Sequence, residues 1–397
     1  LVLEEVPESL DSGDQPKRLS IFLKEDLVEP KMERHTTPGS KVVVNGVVKE
    51  VPITLKSGAQ SIRYDIMMET NYIDPIEKTY WEVELNDKDE QELRILSQNP
   101  KIYEDFTSSI ASSVYGHDKI KEALVLQLMG GVKKKKEDGT TIRGDIHILL
   151  VGDPGSAKST MLSSVSKIAP KGRLVAGKSV SGVGLTASVV KDEFLRGWAL
   201  EGGAMVLASG GQLCIDELDK MSSEDRDALH EALEQQRVSV AKANIQATLR
   251  AETTVLAAAN PKLGRFDPYT PIAAQIDLPP TLINRFDLIF PIRDLPNSEL
   301  DTKIATHVLN LQKKPEDVKP KIPTELLKKY ISYAKQKIFP KLTDEAIEEI
   351  KNFYVTLRNS AQKGEGELRP IPISARQLEA LVRLAEGSAR LRLSDRV

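Results

Sequence analysis

Residues Leu149–Thr160 read LLVGDPGSAKST, and the reading of this stretch decides the fold. A phosphate-binding loop needs a strand to deliver it and backbone N–H groups that converge beside a helix N-terminus. It also needs a Lys for the outer phosphates and a hydroxyl for Mg²⁺. The apolar run IHILLV supplies the strand. Gly152, Asp153, Pro154, Gly155, Ser156 and Ala157 form the loop, Lys158 and Ser159 stand in register, and TMLSSVSKI continues as a helix. The expected glycine before the lysine is Ala157. A right-handed conformation at the helix start, which tolerates a methyl group, is the expected reason. The alternative is a Gly/Ser turn with an exposed Lys.

Working outward, two more apolar runs lead into polar residues and a third is interrupted by them. QLCIDEL closes on Asp216 and Glu217. Adjacent carboxylates at the end of a buried strand are costly unless they have work to do. Asp216 suits a Mg²⁺ held through water or a bound hydroxyl, and Glu217 suits orienting and deprotonating an attacking water. TTVLAAAN ends in Asn260, whose amide could position the same water, although Asn before Pro is also ordinary turn chemistry. TLINRFDLIF places Arg285 between apolar runs. Arg285 either pairs with Asp287 or reaches the γ-phosphate held by a neighbouring molecule.

The four runs IHILLVG, QLCIDEL, TTVLAAAN and DLIFPI alternate with helical stretches, which predicts an α/β core with a parallel sheet. One such stretch, SSEDRDALHEALEQQ, opens with a capping-box spacing from Ser222 to Asp225. Its HEALE segment resembles a zinc-protease motif but lacks the second histidine, so a zinc site is rejected. GVGLTA, Gly182 to Ala187, fits a dinucleotide fingerprint. It is set aside because no convincing strand–helix–strand unit or ribose-binding acid follows.

Residues 1–88 are predicted to be all-β, from LSIFLKEDLV, SKVVVNGVVKEVPITL and SIRYDIMMETNYI separated by turn-type segments, in a small barrel. From about residue 90 the texture is helical, with Ile120, Leu124 and Leu128 on one face and Gly130-Gly131 as the stop. KKKKEDGTTIRG reads as a solvated loop. Beyond the Pro- and Lys-rich LQKKPEDVKPKIP, Ile347, Ile350, Tyr354 and Leu357 make an apolar stripe, and Ser374 with Gln377 caps a last helix.

The 397 residues allow two or three domains, and a net charge of −3 gives no global sign of a polyanion partner. One cysteine excludes an internal disulfide, and no apolar run approaches the roughly 18 residues of a membrane span. The opening LVLEEVPESL reads as a strand cut into, and the expectation is a fragment of a longer protein.

GDPGSAKS, CIDELDKM, AAANP and NRFDLIF, in this order and spacing, resemble the AAA+ module of minichromosome maintenance (MCM) replicative helicases of archaeal type. The resemblance covers nearly the whole chain, and the family carries Ala before this lysine. It implies an α/β AAA+ P-loop NTPase core over residues 89–315, a helical lid over 316–397 that stops short, and a partial oligonucleotide-binding (OB) fold over 1–88. By resemblance, Lys158 and Ser159 are Walker A, Asp216 and Glu217 Walker B, Asn260 sensor 1, Arg285 an arginine finger and Arg376 a sensor 2 arginine acting across the subunit interface. Arg143 resembles another interface arginine. Asn284 departs from the family's usual Ser.

The resemblance also implies surfaces for DNA. RVSVAKANIQATLR forms two strands around a turn with Lys242 near its tip, like the pre-sensor 1 hairpin, and KDEFLRGWAL is similar to the helix-2 insert with Arg196 near its tip. TLKSGAQSIR would be a DNA-facing hairpin, with Lys56 and Arg63 as candidates, although a polar turn explains it equally. The implied protein is an ATP- and Mg²⁺-dependent helicase subunit in a hexameric ring on single-stranded and duplex DNA, cytoplasmic and nucleoid-associated, without a membrane partner. Two rivals remain: another AAA+ remodelling ATPase of chelatase type, and a non-enzymatic DNA-binding module. DNA-stimulated ATPase with strand separation discriminates them.

Overall fold

The computed structural model describes residues 1–5, 17–29, 32, 42–54, 60–75, 80, 83, 85–139, 141–177, 184–185, 187–192, 197–242, 245–267, 269–313, 320–360 and 375–397. The chain divides into two compact units, Leu1–Lys78 and Thr79–Val397.

The first unit is β-rich. Strands β1 (Val2–Glu4), β2 (Arg18–Phe22), β3 (Val42–Thr54) and β4 (Gln60–Pro75) form one sheet in the order β1-β2-β4-β3. β2 and β4 run parallel and the other pairs antiparallel. Among the described residues this is a four-stranded sheet and not a closed barrel. LSIFLKEDLV, expected as one strand, ends its strand at Phe22 and turns into a 3₁₀ helix over Glu25–Val28, which buries Leu27. Lys56 lies outside the described residues, and Arg63 falls on β4.

The second unit begins with helices α1 (Asp87–Ser97), α2 (Ile102–Ser109) and α3 (Asp118–Met129). Ile120, Leu124 and Leu128 are all buried, and Gly130, at φ +61°, closes α3 in a conformation that only glycine adopts without strain. The lysine run is not simply a solvated loop. β5 (Lys134–Lys135) pairs with β6 (Thr141–Ile142), Lys133 binds Glu252 at 2.8 Å, and Lys134 binds the buried Glu386 at 2.6 Å.

Five parallel strands carry the core: β7 (Ile148–Gly152), β8 (Gly172–Ala176), β11 (Gln212–Asp216), β14 (Thr254–Ala259) and β15 (Leu288–Ile292), in the order β15-β7-β14-β11-β8. All residues of β7 and β14 are buried, as strands covered on both faces must be. Successive residues point to opposite faces. Ile148, Leu150, Cys214, Leu256 and Ala258 therefore join one core with α3 and α4 (Lys158–Ile168). Leu149, Val151, Leu213, Ile215, Val255 and Ala257 join a second core that includes Leu229, Leu233 and Phe286. Fully burying one such leucine contributes about 1.5–3 kcal/mol.

Two antiparallel hairpins interrupt the alternation. β9 (Ala187–Asp192) pairs with β10 (Gly197–Gly202), and β12 (Arg237–Lys242) pairs with β13 (Ile245–Arg250). Arg196 lies outside the described residues. Lys242 is the last paired residue of β12, opposite Ile245. A short helix α5 (Ala204–Leu207) precedes β11, α6 (Ser223–Gln235) precedes β12, and α7 (Pro280–Ile283) precedes β15. The remaining helices are α8 (Ser298–Lys313), α9 (Thr324–Lys337), α10 (Asp344–Ser360) and α11 (Ala375–Leu391). On α10 the apolar stripe is only half covered: Ile350, Tyr354 and Leu357 are half-buried and Ile347 is exposed. The proposed cap at Ser374 lies outside the described residues. No helix among the described residues is long and apolar enough to cross a membrane.

Candidate nucleotide site and interface arginines

The strand order puts β7 between β14 and β15, with β11 beyond β14. In such open sheets ligands bind outside the C-terminal ends of the strands. There the chain places Gly152, Asp216 and, one residue past β14, Asn260.

The phosphate loop is fixed from three sides. A Cβ on Gly152 would lie 2.8 Å from the Ile292 Cβ, so this close approach requires glycine. The Asp153 carboxylate is buried and accepts the N–H of Phe266 at 2.8 Å and of Asp294 at 2.9 Å. The Ser156 hydroxyl donates to the Asp153 carbonyl at 2.7 Å. Pro154 and Gly155 are exposed, with Gly155 at φ +84°.

Ala157 corrects the expectation of a right-handed backbone, since it sits at φ 58° and ψ 17°. The chain must reverse its twist here to turn the loop into α4. A left-handed non-glycine residue costs about 1–2 kcal/mol. Packing of the half-buried Ala157 methyl against the core offsets part of that cost.

Lys158 is buried, and its ammonium donates to the carbonyls of Gly152 at 2.7 Å and Asp153 at 2.8 Å. Burial pushes its pKa down, while Asp216, Asp153 and Asp219 oppose the shift. The three carboxylates that sense this lysine are thus those of the loop and of the β11 edge. α4 starts without a side-chain cap and without an acidic residue in its first turn. Its first N–H groups are therefore suited to an anion, and the residues present fit a nucleotide phosphate. The exposed Ser159 hydroxyl and the half-buried Asp216 suit Mg²⁺. No cluster of three or more His, Cys, Asp or Glu able to hold a metal occurs among the described residues.

Glu217 has a left-handed backbone at φ 53°, its N–H bonds the Asp216 Oδ1 at 2.9 Å, and its carboxylate pairs with Lys220. Asp219, two residues on, accepts the Asn260 N–H at 3.0 Å and so ties the β11 edge to the β14 edge.

The arginines form a second group. Arg285 does not pair with Asp287, as the bland expectation had it. Its Nε donates to the His230 Nε2 at 3.1 Å and its Nη1 pairs with Glu234. The second oxygen of Glu234 lies 3.7 Å from the Arg376 Nη1. Arg285 holds the Glu234 carboxyl below its usual range, and burial beside Arg285 lowers the pKa of Arg376. Asp287 instead binds Arg143 at 3.1 Å and Arg383 at 2.7 Å, with all three side chains buried. Its other oxygen accepts the His147 N–H at 2.8 Å. Burial pushes Arg143 down to about 10, with Asp287 opposing the fall, so Arg143 stays charged at neutral pH in a buried ion pair.

Residues 89–312 match the family described as MCM P-loop domain, and residues 325–397 match the MCM AAA-lid domain. The chain belongs to the MCM family. It is 43% identical over 396 residues to the "Minichromosome maintenance protein MCM" of Saccharolobus solfataricus, an alignment that covers 100% of this chain and 56% of that protein. It is 39% identical over 408 residues to the "DNA replication licensing factor mcm5-A" of Xenopus laevis, covering 99% of this chain and 55% of that one. The "DNA replication licensing factor MCM4" of Arabidopsis thaliana is 37% identical over 414 residues, with 99% and 48% covered. The chain spans about half the length of these relatives.

The phosphate loop, Asp216, Glu217, Asn260 and Arg285 all fall in the MCM P-loop domain, and Arg376 and Arg383 fall in the MCM lid. Reading the sequence missed Arg383, weighed Asp287 only as a partner of Arg285, and met His230 and Glu234 only as part of a rejected zinc motif. The available signal was the four-residue spacing of His230 and Glu234, which puts both on one face of α6.

Proposed function

We propose that this MCM chain is a subunit of an ATP-driven replicative DNA helicase, a hexameric ring that hydrolyses ATP at subunit interfaces. The observation that carries this reading is the separation of two incomplete half-sites. Lys158, Asp216, Glu217 and Asn260 share the strand edge. Arg285 and Arg376 both pair with Glu234, Arg376 also senses Asp287, and neither of these counter-charges belongs to the phosphate loop. A phosphate held by one protomer therefore needs arginines from the next.

In that site the loop N–H groups and Lys158 hold the phosphates, while Ser159 and Asp216 hold Mg²⁺. Bound Mg²⁺ would neutralise charge on the phosphate oxygens. Glu217, freed from Lys220, orients and deprotonates the attacking water with Asn260. Arg285 and Arg376 of a neighbour stabilise charge that develops on the transferred phosphate, a contribution of about 10³ to 10⁵ in rate for such a finger.

The hairpin β12–β13 follows α6 directly and puts Lys242 at its last pair. Lys242, Arg196, Lys56 and Arg63 are proposed DNA contacts to phosphates, so binding should be salt-sensitive. The proposed division is an OB fold over 1–88, an AAA+ core over 89–315 and a lid over 316–397, and the proposed location is the nucleoid within the cytoplasm. The test is Lys242→Ala, which should remove both unwinding and the DNA stimulation of ATPase. Unchanged unwinding would exclude Lys242 from the mechanism.

A further inference from the structure

An arginine that must act on a phosphate held by another molecule has a positioning problem. Its side chain is long and rotamer-rich, and a misplacement of about 1 Å can cost 10²-fold in rate. The surroundings of Arg285 address this problem. Its side chain is only 14% exposed, although no partner molecule covers it. His230 and Glu234 stand one turn apart on α6, and both face it. The Arg285 Nε–H is always a donor, so His230 Nε2 must be the acceptor and the imidazole proton sits on Nδ1. Glu234 takes the Nη1 corner. The hydrogen bond and the ion pair thus hold the guanidinium through Nε and Nη1. Two of the three guanidinium nitrogens are therefore held within the subunit, and a phosphate oxygen would be met through Nη2. Glu234 also faces Arg376 across 3.7 Å, so one carboxylate serves both arginines.

We propose that His230 and Glu234 form a cradle on α6 that sets Arg285, and through Glu234 also Arg376, in the geometry needed to meet a neighbouring subunit's nucleotide. The inference rests on the reading of Arg285 as an arginine acting between subunits. It makes His230 and Glu234 positioning residues, since they touch the arginines and not the nucleotide. Glu234 additionally balances the repulsion between two guanidinium groups held close together before any phosphate arrives. The same helix is anchored at its other end to the Walker B edge, where Arg226 binds the Asp219 carbonyl. The cradle is thus mounted on an element that already belongs to the nucleotide machinery of its own subunit.

The test uses the assembled full-length protein and mixed-subunit ATPase assays. Glu234→Ala is expected to lower kcat by about 10- to 100-fold, while KM for ATP and nucleotide binding by its own intact loop change less than about twofold. His230→Ala should behave in the same way, and His230→Gln should recover part of the loss because its amide oxygen can accept from Nε. Glu234→Ala subunits mixed with Lys158→Ala subunits should regain turnover, because the latter supply an intact cradle to the former's intact loop. Glu234→Ala mixed with Arg285→Ala should not regain it. Full activity of Glu234→Ala alone overturns the proposal. Recovery with Arg285→Ala but not with Lys158→Ala also overturns it, since that pattern places Glu234 at its own loop. If Arg285→Ala itself is not rescued by Lys158→Ala, the shared site fails and the cradle falls with it.

Discussion

The phosphate loop and the arginine cluster of this MCM chain are assembled by different means. At Gly152–Ser159 the proposed working groups are Lys158 and backbone N–H donors, placed by the end of a fully buried strand and the start of α4. At Arg285 and Arg376 the proposed working groups are side chains, in contact with His230 and Glu234 from another helix. A backbone site is rigid because its sheet is rigid. A side-chain site keeps its geometry only as long as its partners hold it. The contrast suits a division in which one subunit grips the phosphates and another delivers charge at the moment of reaction.

The largest expected effect lies on the gripping side. Lys158→Ala should abolish hydrolysis, measured as phosphate release, because no other cation occupies the loop. Substantial residual turnover would break the assignment of that half. On the delivering side, Arg285→Ala should lose about 10³-fold or more in turnover yet still bind ATP in a fluorescence titration. It should regain activity when mixed with Lys158→Ala, and failure to recover would erase the distinction between the halves.

Beneath the arginines, Asp287 holds Arg143 and Arg383 in a buried cluster. Asp287→Ala would leave the buried Arg143 without its ion-pair partner and the buried Arg383 with only the more distant Glu379, at 3.7 Å, and should cost about 3–5 kcal/mol in stability by denaturant unfolding. A loss below about 1 kcal/mol would show that water enters the cluster. The smallest effect is expected at the loop itself. Ala157→Gly removes left-handed strain but also a half-buried methyl and some chain stiffness, so stability should move by no more than about 1 kcal/mol. A larger loss would mean that the methyl contact dominates.

The same contrast explains what was legible in the sequence. The strands β7, β11 and β14 announce themselves as apolar runs because both their faces are buried, and Asp216 and Asn260 at the ends of β11 and β14 mark the site, whereas β15 is an edge strand with Ile289 and Pro291 exposed and is legible only from its apolar composition. β8 was missed: it is an edge strand, half-buried, and its GRLVA begins with Gly-Arg. Loop chemistry was readable because register is local. The conformation of Ala157 was not, because the sign of φ depends on how the loop must meet α4. Glu234 and His230 were invisible in their role because Arg285 lies some fifty residues away along the chain. For Asp287 the sequence offers only a pairing with its near neighbour Arg285, as one of two alternatives for that arginine. The structure gives it to Arg143, distant in sequence within the same domain, and to Arg383, which only packing of the lid against the core brings within reach.

The central claim is that a nucleotide gripped by one protomer is cleaved only with arginines from another. Its most direct test is the ATPase rate per subunit, measured across a wide range of protein concentration with and without single-stranded DNA. The account predicts that the rate per subunit collapses as dilution drives the protein to monomers and rises with DNA where the protein is assembled. A rate per subunit that stays constant down to fully monomeric protein would contradict it.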